Sequence, residues 1–248
     1  MKIYAHRGYS RYYPENTLIA FEKALEAGCD GIECDVQLTR DRVPVIIHDE
    51  KIDRTSDGKG YVKNYTYKEL LNFDFSRIRP GSYGPCRILT LKELLEVIRL
   101  SGRNITLNLE LKNSIIEYNG LEEIVLAETK EYENDFEIIY STFNHNSIRR
   151  LIRLKKDIKA APLVNRSLPD LVRYVKSLGA SGVHPSILIL SEEIIQSLLE
   201  NDIYVNVYTI NDMDLAKRLS DLHVTGIFTD YCKEMKEALT FGKEFSID

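Results

Sequence analysis

The chain contains no tryptophan, and its four cysteines, Cys29, Cys34, Cys86 and Cys232, show no C-x-x-C spacing. Nothing therefore suggests a structural zinc site or a dithiol redox centre, and buried, reduced thiols are expected. No apolar run approaches the roughly 18 to 20 residues that cross a bilayer. The opening Met1-Lys2-Ile3-Tyr4-Ala5-His6-Arg7-Gly8 lacks the apolar stretch of a secretion signal, so a cytoplasmic protein without a membrane anchor is expected. Positive charge is not in excess: 33 Lys and Arg stand against 38 Asp and Glu, a net charge of −5. That balance opposes non-specific attraction to nucleic acid or to an anionic membrane surface. Linker-like tracts, low-complexity segments and strong sequence repeats are absent too. Oligomeric state is left open.

What is present is an ordinary globular composition, 44% hydrophobic and 29% charged over 248 residues, which suits one domain spanning 1–248. Short β-branched runs at 3–6, 31–36, 105–111, 136–141, 158–162, 182–184, 204–208 and 226–229 read as strands. Amphipathic stretches alternate with them at 17–27, 91–100, 121–131, 147–154, 168–178, 191–199, 212–219 and 233–241. Eight strand-then-helix units favour a closed (β/α)8 TIM barrel over an open doubly wound sheet.

A ninth run, 43–48, follows the second strand too closely for a parallel crossover and must fold back as a hairpin. If Leu38 pairs with Val43, the antiparallel register sets His48 opposite Glu33. The segment 50–88, rich in Asp, Gly, Ser, Tyr and Pro, then reads as a small insertion over the barrel mouth, contributing to substrate selection.

Barrel active sites lie at the C-terminal ends of the strands. His6-Arg7-Gly8, Glu33 with Asp35, His48-Asp49, and Glu110 with Lys112 all fall there. Residues two apart on a strand share a face, so Glu33 and Asp35 point together and Glu110 joins them from the neighbouring strand. Three convergent carboxylates make a hard, all-oxygen site suited to one Mg²⁺, Ca²⁺ or Mn²⁺ and less to Zn²⁺. The bland alternative is a buried salt-bridge network with Arg7 and Lys112. His6 and His48 are the natural acid and base, each of which alone would read as a satisfied core histidine. Arg7 offers a planar fork to phosphate oxygens and Lys112 a point charge. Together these residues suit phosphoryl transfer.

The elements His6-Arg7-Gly8, Pro14-Glu15-Asn16-Thr17, Gly31-Ile32-Glu33-Cys34-Asp35-Val36-Gln37-Leu38-Thr39 and His48-Asp49 resemble the signature of the glycerophosphodiester phosphodiesterase family. Arg54-Thr55, Glu110-Leu111-Lys112, Ser141-Thr142-Phe143, Thr209-Ile210-Asn211 and Thr229-Asp230 extend the resemblance over about residues 3–232. It implies a barrel with an insertion after strand two, a divalent metal on Glu33, Asp35 and Glu110, and His6 and His48 as the acid–base pair. It further implies phosphate held by Arg7 and Lys112, a small-molecule glycerophosphodiester as substrate, and release of sn-glycerol 3-phosphate and an alcohol. Glu15 would orient Arg7 or the substrate, or else belong to a helix start. One departure concerns strand seven, where many members carry a tryptophan and this chain has Tyr208, an aromatic wall of different shape. His184 could touch substrate but reads better as structural. The rival readings are a phospholipase D-like enzyme acting on lipids and a barrel that only binds phosphorylated ligands.

Overall fold

The computed structural model describes residues 1–241; positions 242–248 of the expected domain lie outside the described residues. In chain order the elements are β1 (Lys2–Ala5), α1 (Leu18–Glu26), β2 (Gly31–Leu38), β3 (Pro44–Ile46), α2 (Tyr67–Leu70), α3 (Leu91–Leu100), β4 (Thr106–Leu111), α4 (Leu121–Thr129) and β5 (Glu137–Thr142). They continue with α5 (His145–Leu154), β6 (Ala160–Val164), α6 (Leu171–Leu178), β7 (Gly182–Pro185), α7 (Glu192–Glu200), β8 (Tyr204–Val207), α8 (Met213–Asp221), β9 (Gly226–Thr229) and α9 (Cys232–Phe241). Eight parallel strands, all but β3, run β1-β9-β8-β7-β6-β5-β4-β2, and a β1–β2 pairing closes the ring. The protein is a (β/α)8 barrel, as the alternation of strands and helices predicts. Among the described residues, no helix is long and apolar enough to cross a membrane.

Strand periodicity divides the barrel wall into two faces. On β2, Ile32, Cys34, Val36 and Leu38 join the apolar layer beneath the helices, leaving Gly31, Glu33, Asp35 and Gln37 on the opposite face. Helix α3 shows how the outer layer is held. Thr90 and Glu93 form a reciprocal capping box at its start, and Leu91, Leu94, Leu95 and Ile98 bury one stripe. Each such leucine contributes about 1.5–3 kcal/mol by leaving water. Cys29, Cys34 and Cys232 are buried, as expected for reduced thiols, whereas Cys86, in the segment between β3 and α3, is half-buried.

That segment carries its own small core of Ile52, Val62, Leu70, Phe75 and Ile88, joined by Val45 and Ile47. Strand β3 is thus shared, with Ile46 in the main core and its two neighbours in the smaller one. The hairpin register differs from the expected one by a residue. Val36 pairs with Ile46, Gln37 with Val45 and Leu38 with Pro44, a ladder that would set His48 against Cys34 rather than Glu33. The cause lies in the loop. Arg40, Asp41 and Arg42 form a three-residue connection in which Arg42 takes a left-handed φ of 64°, and Thr39, not Leu38, receives Val43.

At the N-terminal end of the barrel, remote from the strand ends that carry chemistry, Glu137 accepts from Thr106 Oγ1 at 2.7 Å and pairs with Lys2 at 2.9 Å and with Lys159. Burial alone would raise the Glu137 carboxyl, but Lys159, Lys2 and Thr106 outweigh it and hold it at about 2. The folded value lies below the unfolded value of about 4.3. The stabilisation is therefore present above that value and lost as pH falls towards 2. Glu137→Gln is expected to lower the melting temperature at pH 7 and to flatten its fall between about pH 5 and 2. Parallel melting curves for variant and parent across that range would contradict the assignment.

Candidate active site

The loop after β1 builds one side of the site. Arg7 and Gly8 both take left-handed backbone conformations, with φ of 58° and 79°. A Cβ on Gly8 would sit 2.8 Å from the Ala20 carbonyl carbon of α1, so only glycine fits. This turn aims the Arg7 N–H at Glu33 Oε2 (2.8 Å) and the guanidinium at Glu15 Oε1 (2.8 Å), with Nε 3.5 Å from Asp35 Oδ2. Gly8→Ala is expected to cost about 1–3 kcal/mol, read as a fall of several degrees in melting temperature, with activity falling as Arg7 shifts. An unchanged melting curve would contradict the close approach to α1.

Glu33 and Asp35 from β2 and Glu110 from β4 each bring a carboxylate oxygen within 4.8 Å of the others. The parallel register explains it, since Asp35 lies beside Glu110 and Glu33 beside Asn108. Asp35 is wholly buried; its Oδ2 accepts from Asn16 Nδ2 at 2.9 Å, while its buried Oδ1 accepts no hydrogen bond and lies 3.8 Å from Lys112 Nζ. Lys112 is held more closely by Glu110, at 2.7 Å. Burial, with repulsion from Asp35 and Glu110, pushes the Glu33 carboxyl well above the usual carboxylate range. Burial would also raise Asp35, but Arg7, His48 and Lys112 outweigh it and hold that carboxyl at about 2. Burial works against the charges of Arg7 and Lys112 as well, yet the surrounding carboxylates push both pKa values up.

The salt-bridge network foreseen as the bland alternative does exist, but it does not balance. Among the described residues, Glu15, Asp35, Asp49 and Glu110 pair with three fixed cations, Arg7, Arg54 and Lys112, and Glu33 joins them only through the Arg7 backbone N–H. With all five carboxyls ionised, two negative charges are left over, the charge of one divalent cation. The donor set is all oxygen, and it includes an orphaned buried carboxylate oxygen, so the residues fit a hard cation such as Mg²⁺, Ca²⁺ or Mn²⁺.

The two histidines face this cluster, each backed by an aspartate. His6 Nδ1 lies 2.7 Å from Asp230 Oδ1, and Asp230 is itself fixed by Asn211 Nδ2 (2.7 Å) and Ser10 Oγ (3.1 Å). Burial would raise Asp230, but the bond to His6 leads the contacts that hold it at about 2. His48 Nδ1 lies 2.6 Å from Asp49 Oδ1, a carboxyl held below its usual range by that bond and by Arg54. Arg54 also grips Glu15 through two hydrogen bonds of 2.8 and 2.7 Å. The chain of contacts His48–Asp49–Arg54–Glu15–Arg7 thus joins the two sides of the mouth. Glu15 touches Arg7 and lies outside the cap, since Thr17 is the N-cap of α1 and makes no side-chain capping bond. His48 owes its place to Gln37, whose buried Nε2 lies 3.3, 3.0 and 2.7 Å from the carbonyl oxygens of Ile47, His48 and Asp49. Tyr118 fixes the other end of that amide, its O–H donating to Gln37 Oε1 at 2.9 Å.

A pocket of about 260 Å³ collects His6, Arg7, Glu33, His48, Glu110 and Tyr208. Asp35 is wholly buried and does not line it, Lys112 faces an adjoining cleft, and Glu15 is bonded to Arg7. Tyr208 meets Phe143 edge to face at 6.1 Å and spends its hydroxyl on the Val164 carbonyl at 3.2 Å, so it presents its ring as a wall. His184 is structural: fully buried, packed on Phe228 and near Asn206, with burial pulling its pKa down to about 3. Sequence reasoning assigned no role to Asp49, Asp230, Arg54 or Gln37, although each lies in a matched motif.

Residues 6–234 match the Glycerophosphoryl diester phosphodiesterase family. The chain belongs to that family. Family membership agrees with relatives that match over most of the chain. It is 40% identical over 232 residues to the protein YqiK of Bacillus subtilis, covering 93% of this chain and 95% of that one. It is 39% identical to a glycerophosphodiester phosphodiesterase of Bacillus altitudinis, covering 93% and 94%. Among solved structures, an Oleispira antarctica phosphodiesterase in complex with its product sn-glycerol-3-phosphate superposes with a TM-score of 0.87 at 30% identity over 97% of both chains.

Proposed function

We propose that this family member hydrolyses glycerophosphodiesters to sn-glycerol 3-phosphate and an alcohol, using a divalent cation and two histidines, in one barrel domain with 50–88 as an insertion at its mouth. One observation carries the reading: two histidines, each with Nδ1 held by an aspartate, face one pocket with a three-carboxylate cluster. An ionised aspartate can only accept, so each Nδ1–H donates to it and each Nε2 is free to take or give a proton. One histidine takes the proton of the nucleophile, either water or the glycerol's neighbouring hydroxyl, while the other protonates the departing alcohol; in the second case water then opens the cyclic phosphate to give glycerol 3-phosphate. Arg7 Nη2 makes no hydrogen bond among the described residues and, with Lys112, would hold the phosphate oxygens. Glu33, Asp35 and Glu110 would hold the cation, which supplies polarisation of the phosphate and neutralisation of its developing charge. The wall of Tyr208 and Phe143 would confine the small glycerol moiety. Incubation with glycerophosphocholine and glycerophosphoethanolamine in the presence of Mg²⁺, Ca²⁺ or Mn²⁺ in turn should release glycerol 3-phosphate, measured by a coupled dehydrogenase. No release with any of the three metals would overturn the proposal.

A further inference from the structure

The pocket that holds the two histidines opens on both sides, and the two openings differ in what their polar groups are doing. Beyond His6 lies a cleft of about 290 Å³. Its charged groups are already engaged: Arg7 with Glu15, Asp230 with His6 and Asn211, Arg79 with the Arg11 carbonyl, and the Arg11 guanidinium 4.8 Å above the Tyr231 ring. Beyond His48 lies a larger cleft of about 950 Å³ that shares His48, Phe143 and Leu163 with the pocket. The loops after β4 and β6 bring Ser114, Asn165 and Arg166 to its wall, the first turn of α5 brings Asn146, and Glu50 lines it too. None of these five side chains makes a hydrogen bond among the described residues.

His145 is excluded from that free set. Its Nε2 lies 2.9 Å from the Leu163 carbonyl, which can only accept, so Nε2–H donates and Nδ1 accepts from the Tyr174 hydroxyl at 2.6 Å. It is a neutral, fully engaged wall residue. Beside the rings of Phe143, His145 and Tyr174, of which the last two are hydrogen-bonded to each other, the larger cleft therefore presents free amide and hydroxyl groups with Glu50 and Arg166, and a Lys112 already held by Glu110.

We infer that the His48-side cleft receives the departing alcohol and selects an uncharged polyhydroxylated one, of the glycerol or inositol class, over choline. This rests on the proposed hydrolysis of glycerophosphodiesters. The pocket itself has room for the phosphate and one small alcohol, so the second alcohol must extend into a cleft. The His48-side cleft is the larger and has amide, hydroxyl and carboxylate groups to spare, whereas the smaller cleft has its amide and carboxylates engaged and offers only guanidinium N–H groups. A diester with several hydroxyls on that alcohol replaces the water on Asn146, Asn165 and Arg166, each new bond being worth about 0.5–1.5 kcal/mol. A choline group leaves those donors without a partner.

The test is steady-state kcat/KM for glycerophosphoinositol, glycerophosphoglycerol and glycerophosphocholine. It is applied to the parent, to Asn165→Ala/Arg166→Ala, to Asn146→Ala, and to Arg11→Ala/Arg79→Ala as a control on the other cleft. The parent should favour the two polyol diesters over glycerophosphocholine by about tenfold or more, the equivalent of one or two hydrogen bonds. Asn165→Ala/Arg166→Ala should shrink that ratio several-fold by slowing the polyol diesters alone, Asn146→Ala should shrink it less, and the control should leave it intact. These exposed side chains support no core, so the melting temperatures should match the parent. Equal rates on all three diesters, a preference for choline, or a ratio untouched by both cleft variants would overturn the inference and leave the hydrolysis standing. Turnover of none of the three would remove the hydrolysis, and this inference with it.

Discussion

Replacing His48 by alanine is expected to lower kcat by about 10²- to 10⁴-fold, the range that positioned proton transfer contributes, while the melting temperature stays close to that of the parent. The structural reason for the second half is that His48 sits at the mouth outside both apolar cores, and Asp49 keeps its two bonds to Arg54 once the imidazole is gone. No buried charge is orphaned. His6→Ala should behave in the same way, because Asp230 keeps Asn211 and Ser10. The double variant should lose far less than the product of the two single losses, since groups that serve one proton-transfer sequence act as a unit. Rates of glycerol 3-phosphate release, read beside thermal melts, check all three. A folded single variant with near-parental turnover would remove that histidine from the mechanism.

The second large effect concerns the carboxylate cluster. Chelation should abolish turnover, and Mg²⁺, Ca²⁺ or Mn²⁺ should restore it; restoration by Zn²⁺ alone would speak against an all-oxygen site. Stability should move in the opposite direction from activity. Without a cation, Glu33, Asp35 and Glu110 repel one another in a buried site, and burial together with that repulsion pushes the Glu33 carboxyl up. Glu33→Gln keeps an acceptor for the Arg7 N–H and removes a charge, so the chelated variant should melt above the chelated parent. About 1 kcal/mol corresponds to roughly 2–4 °C in a chain of this size. Adding metal should raise the melting temperature of the parent and raise that of the variant less, because only a site with its full charge gains binding energy from the cation. A chelated variant melting below the chelated parent would show that the cluster is not electrostatically strained.

These expectations rest on features of unequal visibility in the sequence. The barrel was legible because alternation of β-branched runs and amphipathic stretches is a local pattern. The cluster was legible because a strand has period two, so Glu33 with Asp35, and Glu110 on the next strand, share a face whatever the loops do. His48 was placed on the right rim for a wrong reason. A pairing between Leu38 and Val43 was assumed, but the three-residue turn with Arg42 in a left-handed conformation shifts the ladder by one. A slip of one residue turns a side chain to the other face, and His48 reaches the site because the chain leaves the ladder after Ile46 and Gln37 gathers the carbonyls of Ile47, His48 and Asp49.

The partners of the catalytic candidates were the least visible. Asp230 and Arg54 come from loops far along the chain from what they hold, 224 residues separating Asp230 from His6 and 39 separating Arg54 from Glu15, the one supporting residue that the family resemblance names. Their meeting depends on left-handed turns at Arg7 and Asn16, positions where neither residue type announces that conformation as glycine would. The signal available was indirect: Asp230 stands directly after β9 and Arg54 in a short polar motif of the segment after β3, where a polar residue with no packing role invites a partner.

The most direct test is ³¹P NMR of the products formed from glycerophosphocholine by the metal-loaded protein. The phosphorus resonance of sn-glycerol 3-phosphate should appear, should vanish on chelation and should be absent for His6→Ala and His48→Ala. Formation of phosphocholine instead, or turnover that survives both chelation and loss of either histidine, would contradict the account.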